Sequence, residues 1–265
     1  MQINFIYPEK SDIKYHIDTY PDSQTHLVLD EEMNRRERLD IYTRLSNLND
    51  LWILMQLSDI CQRQGIIIQN IYISYLFAAR TDRLFSFNEA LDLELVKKCL
   101  VSTKADSIAI LEIHSARICH SEVKPSIYSE VFEYNIPSNA QIVFPDEGAK
   151  ERYQFYIFDN PIICAIKKRI AKDQIKITLS SDLYLNRPIY IMDDLCDGGG
   201  TFKALYNVLQ EKGAEDIHLI VCHAIQKKAL IELSQLYKTI TISNSYKDWD
   251  KEELPSNIKV IKVYE

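Results

Sequence analysis

Glycine is scarce in this chain, six residues in 265, and the other shortages are as informative. There is no internal repeat and no low-complexity tract, which excludes a fibrous or linker-dominated chain. No apolar run approaches the roughly 18 residues that a membrane helix needs. The start, Met1-Gln2-Ile3-Asn4-Phe5, lacks the basic segment and long apolar core of a secretory leader. The six cysteines, at 61, 99, 119, 164, 196 and 222, include no C-x-x-C pair and no zinc-like spacing with histidine, so they read as reduced thiols. Positive charge is short too: 31 Lys and Arg against 38 Asp and Glu leave a net −7. Nonspecific nucleic-acid binding needs a basic face, so no nucleic-acid partner is expected, although a locally positive site can still hold a small anion. No membrane partner is expected either, and the cytoplasm is the expected compartment.

What is present has the make-up of an ordinary α/β protein, 46% hydrophobic and 26% charged, with length for one or two domains. Apolar, β-rich runs predict strands at Ile71 to Tyr75, Ile108 to Ile113, Ile142 to Phe144, Ile162 to Ile166, Ile189 to Asp193, Ile217 to Cys222 and Thr239 to Ile242. Helical spacing appears at Leu51, Leu54, Leu57 and Cys61, at Leu91, Leu95, Cys99 and Leu100, and again after Thr201. Asn88 is a candidate helix cap and Gly213 a candidate helix stop. The alternation predicts parallel sheets with helices on both faces. Lys124 to Asn139, with two prolines and several Ser, Asn and Tyr, interrupts it and is the candidate domain join. The polar run Asp173 to Asp182 separates two strands without a helical pattern.

Half of the glycines stand together. Ile189-Tyr190-Ile191-Met192 runs into Asp193 and Asp194, then Leu195-Cys196-Asp197, then Gly198-Gly199-Gly200-Thr201, and an amphipathic helix follows with Phe202, Leu205, Val208 and Leu209. A strand that ends in two acids and opens through bare backbone into a helix puts exposed N–H groups and a positive helix end beside carboxylates. The N–H groups suit a phosphate, and the carboxylates accept from paired hydroxyls, so the pattern suits a sugar phosphate. A solvated turn with a flexible linker would show the same residues, but a strand, two acids, a glycine turn and a helix in that order is unusual for a linker.

The string from Asp193 to Thr201 resembles the ribose-phosphate loop of phosphoribosyltransferases and of their relatives, the ribose-phosphate diphosphokinases, which make 5-phosphoribosyl 1-diphosphate (PRPP). Four further stretches resemble the diphosphokinases and follow that family's order: Ala79-Arg80-Thr81-Asp82-Arg83, Glu112-Ile113-His114, Pro145-Asp146-Glu147-Gly148 and Lys167-Lys168-Arg169. Taken alone, the first reads as a surface ion-pair network, His114 as a core histidine and the basic triplet as a solvated face. The resemblance implies more. Asp193 and Asp194 sit by the ribose hydroxyls, while Asp197, Gly198, Gly199, Gly200 and Thr201 wrap the 5-phosphate. Arg80, Asp82 and Arg83 help hold ATP, with Thr81 standing where the family has glutamine. His114 and Asp146 flank a magnesium ion, with Glu-x-His here for the family's Asp-x-His. Lys167 and Arg169 lie on a catalytic loop that closes over the reacting phosphates; Arg80 and His114 join them as catalytic candidates. Tyr20 and Asp22 stand where the family has an adenine-gripping loop that crosses a subunit interface.

The resemblance therefore implies two tandem phosphoribosyltransferase-type α/β domains, each a mostly parallel sheet flanked by helices. Residues 1–137 form the ATP side and 138–265 the ribose-phosphate side. It implies a magnesium-dependent enzyme that transfers a diphosphate from ATP to the anomeric hydroxyl of a ribose phosphate and releases AMP. It also implies a homo-oligomer, at least a dimer, acting on small molecules. Gly198 replaces a threonine usual in the family, which opens space beside the 5-phosphate. Two acceptors stay open, ribose 5-phosphate and a 5-phosphate-substituted ribose such as ADP-ribose, and Gly198 could equally serve only unusual backbone angles. Two rival readings are a transferase that consumes PRPP and a non-catalytic relative that regulates a synthetase.

Overall fold

Alternating apolar runs and amphipathic segments build two parallel sheets in the computed structural model of the chain. It describes residues 1–126, 135–153, 160–171 and 174–265, with the side chains of 167–171 and 174–176 outside that description. The contacts divide the chain into two units, Met1–Ile127 with Tyr264–Glu265, and Tyr128–Val263. Part of the expected join, 127–134, lies outside the described residues.

The first unit contains β1 (Gln2–Asn4), a hairpin of β2 (Tyr15–Thr19) and β3 (Thr25–Leu29), β4 (Arg38–Leu45), α1 (Leu48–Gln64), β5 (Ile67–Leu76), α2 (Asp92–Ser102), β6 (Ser107–Leu111) and β7 (Val123–Ser126). Its five-stranded sheet has the order β1-β4-β5-β6-β7, with every pairing parallel. The segments after β5 and β6 therefore leave the same edge. On β4 the buried positions alternate, Leu39, Ile41, Thr43 and Leu45, as a strand with one face on the core requires. Helix α1 starts at Asn47, whose side chain accepts from the N–H groups of Asn49 and Asp50 while Asp50 returns a bond to the Asn47 N–H. It ends at Gly65, in the left-handed region at φ 72°. Between these caps Leu51, Leu54, Leu57 and Cys61 are buried, about 1.5–3 kcal/mol for each fully buried leucine relative to exposure.

Asn88 is not a helix cap. Helix α2 begins at Asp92, and Asn88 lies in the preceding turn, where its N–H donates to Ser86 Oγ at 3.3 Å. The turn satisfies its own backbone through Ser86 and Glu89, and the helix starts only where Leu93 and Val96 can reach the core.

The second unit contains β8 (Gln141–Phe144), α3 (Glu147–Tyr153), β9 (Ile162–Ala171), β10 (Gln174–Leu179), β11 (Ile189–Cys196), α4 (Gly200–Glu211), β12 (Ile217–Ala224), α5 (Lys227–Ser234), β13 (Thr239–Ser243) and β14 (Ile258–Ile261). Its sheet has the order β10-β9-β8-β11-β12-β13-β14, parallel except for the β9–β10 hairpin. Every residue of β12 is buried, as a central parallel strand requires. Helix α4 buries Phe202, Leu205 and Leu209. It stops as expected at Gly213, φ 87°, with the Gly213 N–H on Gln210 O and the Ala214 N–H on Leu209 O.

The order of this sheet fixes where a ligand would sit. From β8 the chain first moves to one side, to β9 and β10, and then returns to the other side as β11. The strand ends of β8 and β11 thus diverge at a topological switch point, where open α/β sheets leave a crevice. The fold is that of two mostly parallel sheets flanked by helices. Among the described residues no helix is long and apolar enough to cross a membrane.

Candidate functional site

At the switch point, β11 buries Ile191 and Met192 and then brings Asp193 and Asp194 to the sheet edge. The acids do not terminate the strand, as the sequence suggests. It runs on beside β12, with Leu195 opposite His223 and Cys196 opposite Ala224. The glycine turn follows. Gly199 is the residue in left-handed geometry, φ 74°, and its carbonyl accepts the Lys203 N–H at 3.0 Å as the first turn of α4. A Cβ at Gly199 would stand 3.1 Å from Leu233 Cδ1, whereas one at Gly198 or Gly200 would meet nothing within 4 Å. The positive φ of this turn falls on Gly199 and not on Gly198, so unusual backbone angles do not explain Gly198. The turn is braced from α5, where the Gln226 side-chain amide donates to Asp197 Oδ1 at 2.8 Å.

Facing the acid pair is Arg152, near the end of α3. Its Nη1 lies 2.8 Å from Asp194 Oδ1 and 3.2 Å from Asp193 Oδ1. The Asp194 side chain is 2% exposed, Asp193 15% and Arg152 17%, so the cluster is largely withdrawn from water. Burial pushes the Asp193 carboxyl well above its ordinary range, the neighbouring Asp194 and Asp146 push it further, and Arg152 opposes them. Burial pulls the Arg152 guanidinium down, but Asp194, Tyr153, Asp193 and Asp146 outweigh it and hold the group charged. Asp146, directly ahead of α3, accepts the Ala149 N–H at 2.9 Å and so caps that helix. One end of β8 and the adjoining β11 thus collect Asp146, Arg152, Asp193 and Asp194.

The first unit carries its own groups at the ends of β5 and β6. After β5 the chain turns through Ala78, φ 64°, with the Thr81 N–H on Ala78 O at 3.0 Å, and leaves Arg80 exposed. Asp82 lies 3.9 Å from Nε of both Arg83 and Arg117, and the Arg83 guanidinium stands 5.4 Å from the Phe85 ring centroid. After β6, Glu112 is 3% exposed and holds φ 41°, a conformation costly for a side chain with a Cβ. Its N–H donates to Ser126 O at 2.9 Å, and two residues on His114 lies half-buried in a bend. Tyr20 and Asp22 form the tip of the β2–β3 hairpin, where the Gln24 N–H donates to Asp22 Oδ1 at 3.1 Å and Tyr20 is 47% exposed.

The basic triplet is not placed as the sequence suggests. Strand β9 does not stop at Ile166 but continues to Ala171, with Lys167, Lys168 and Arg169 paired to Ile177, Lys176 and Ile175 of β10. The polar run from Asp173 is the reason: it contains the partner strand that extends the ladder. The side chains of Lys167 and Arg169 lie outside the described residues. Among the described residues no group of three or more His, Cys, Asp or Glu is set to hold a metal ion. Sequence reasoning missed Arg152, Gln226 and the backbone strain at Glu112. Arg152 had one available signal, its place on the segment that Asp146 opens.

No protein-family model matches the chain. It is 28% identical over 217 residues to a ribose-phosphate pyrophosphokinase of Methanosarcina acetivorans, covering 78% of this chain and 74% of that one. To one of Staphylococcus saprophyticus it is 24% identical over 266 residues, covering 94% and 82%. The crystal structure of a phosphoribosylpyrophosphate synthetase from Mycobacterium smegmatis has the same fold, with a TM-score of 0.82 at 16% identity over 96% of this chain and 88% of that one. Along most of its length the chain is thus similar in sequence to ribose-phosphate pyrophosphokinases, and it shares its fold with a phosphoribosylpyrophosphate synthetase.

Proposed function

We propose that the protein is a magnesium-dependent diphosphokinase that transfers the β,γ-diphosphoryl group of ATP to the anomeric hydroxyl of a ribose 5-phosphate or of a 5-phosphate-substituted ribose. The observation that carries this reading is the acid pair at Arg152, set at the switch point immediately before a glycine turn that opens a helix. In the reaction the anomeric oxygen forms a bond to the β-phosphorus, the bond from that phosphorus to the bridging α–β oxygen breaks, AMP leaves and the hydroxyl proton is lost. Asp193 and Asp194 hold the ribose hydroxyls. The backbone N–H groups from Asp197 to Thr201, with the α4 N-terminus, hold the 5-phosphate. Arg80, Lys167 and Arg169 carry the charge that spreads over the transferred group, the main protein contribution to phosphoryl transfer. Asp82, Arg83, Tyr20 and Asp22 serve the nucleotide.

Asp146 and His114 are the residues that would hold magnesium. Asp146 offers oxygen from a helix-capped position, and so sparse a protein shell fits an ion that keeps waters and binds with phosphates. When bound, the ion supplies positive charge to the nucleotide phosphates. Gly198 supports the substituted acceptor beside ribose 5-phosphate itself. A Cβ there would meet nothing within 4 Å and no positive φ requires glycine, which supports a reading in which this side of the 5-phosphate site admits a second phosphate and its nucleoside. ADP-ribose has that shape, and its 1-diphosphate is a precursor from which NAD could be rebuilt with nicotinamide. The protein acts as a homo-oligomer, at least a dimer. Leu48 and Trp52 on α1, 73% and 50% exposed, offer apolar surface for pairing, and sedimentation measures the state.

The deciding experiment incubates the protein with ATP, magnesium and either ribose 5-phosphate or ADP-ribose, and follows AMP. AMP with either sugar supports the diphosphokinase. Pyrophosphate release from PRPP and a base, without ATP-dependent AMP, identifies a PRPP-consuming transferase instead. Binding without turnover of either kind identifies a regulatory relative.

A further inference from the structure

We infer that Arg152 is a positioning residue of the sugar site, a guanidinium that holds the Asp193 and Asp194 carboxyl groups together and aligned to accept the ribose hydroxyls. The inference rests on the reading of that pair as the ribose site. Successive residues of a strand ordinarily send their side chains to opposite faces. Yet one guanidinium nitrogen reaches carboxylate oxygens of both, at 2.8 Å for Asp194 and 3.2 Å for Asp193. Two carboxylates so close and so buried repel each other, and a protonated one loses acceptor capacity for a sugar hydroxyl. Arg152 counters that loss, and its planar fork fixes direction as well as charge. Its origin adds meaning: α3 begins directly after Asp146, and β8 pairs in parallel with β11. The segment that presents Asp146 therefore also clamps the sugar-side acids.

The test is steady-state kinetics of the full-length protein, wild type beside Arg152→Ala and Arg152→Lys, with ATP and ribose 5-phosphate varied separately and folding followed by circular dichroism and melting. The expected result for Arg152→Ala is a KM for the sugar raised about 30-fold, with the KM for ATP changed less than about twofold. Millimolar guanidinium should return at least about tenfold in kcat/KM to Arg152→Ala and nothing to wild type, while Arg152→Lys should fall between the two. Equal change in both KM values, or a folded Arg152→Ala that ignores guanidinium, overturns the assignment. Should Arg152→Ala not fold, Arg152→Lys decides, and a sugar KM within about twofold of wild type overturns it. A wild type without turnover on either acceptor instead overturns the functional reading beneath, a result separate from any variant.

Discussion

The side-chain amide of Gln226 donates to Asp197 Oδ1 at 2.8 Å, joining the start of α5 to the turn that precedes α4. The two residues are far apart in sequence but lie at the ends of neighbouring strands, β12 and β11. Asp197 opens the turn whose N–H groups would hold the 5-phosphate in the proposed function, so the bond restrains that turn before any ligand arrives. A hydrogen bond to a charged partner contributes about 1.5–3 kcal/mol. In Gln226→Ala the KM for the sugar phosphate is expected to rise about tenfold, equivalent to about 1.4 kcal/mol, with kcat within about threefold. Equal loss in kcat would show instead that the turn is disordered in the reacting complex.

The glycines of the turn should separate by role. Gly199→Ala forces a Cβ into left-handed geometry and within 3.1 Å of Leu233, and is expected to cost about 1–3 kcal/mol in urea unfolding. A Cβ at Gly198 meets no atom within 4 Å, so the stability of Gly198→Thr should stay within about 0.5 kcal/mol of wild type. Its effect belongs to selectivity. If the substituted acceptor runs past Gly198 as proposed, turnover with ribose 5-phosphate should persist while turnover with ADP-ribose falls at least about tenfold, because the side chain would fill that space. Equal retention of both acceptors would remove Gly198 from the argument.

These contrasts show what sequence could and could not carry. The glycine turn was legible because three rare residues follow an apolar strand and two acids, a local pattern complete in itself. Helix α1 was legible from Leu51, Leu54, Leu57 and Cys61, which share one buried face. Strand β4 was not identified although its alternation is plain in hindsight, since Arg38, Asp40 and Arg44 make the run look polar when averaged. Strand β10 was hidden in a polar run that makes sense only once β9 lies beside it. Arg152 is the sharpest case. It sits in a charged segment with Lys150 and Glu151 and looks like solvated helix. Only the pairing of β8 with β11 brings it against Asp193 and Asp194. A contact made across strands leaves no mark in local spacing.

Cysteine chemistry gives a test independent of substrate. Burial pushes the thiols of Cys61, Cys164 and Cys196 up to about 12, and for Cys196 the nearby Asp193 and Asp197 add to the effect. The thiolate is the reactive form, so at pH 8 these three should resist alkylation in the native protein and react on unfolding. Iodoacetamide labelling followed by peptide mapping should find them unmodified after native treatment. Ready labelling of Cys196, which lies within the acid and glycine string, would mean that the turn opens in solution.

The acid pair should trade stability for function. Asp193 is a carboxyl whose buried setting, beside Asp194 and Asp146, disfavours its charge despite Arg152. Its folded-state pKa is raised, so its ionised form weakens the fold, and that penalty is relieved as pH falls and the group takes up a proton. Asp193→Asn removes the penalty while keeping the shape, and is expected to stabilise the free protein at neutral pH by about 1 kcal/mol, a few degrees in Tm. The advantage over wild type should shrink as the pH is lowered. Activity should move the other way, with kcat/KM for the sugar down on the order of 100-fold, because an amide offers the ribose hydroxyls a weaker acceptor than a carboxylate. Thermal melts across a pH series, run beside the AMP assay, measure both arms. A variant that is less stable than wild type at neutral pH would mean that Arg152 more than offsets the repulsion, and the pair would then be an element of the fold rather than a strained site held ready for a sugar.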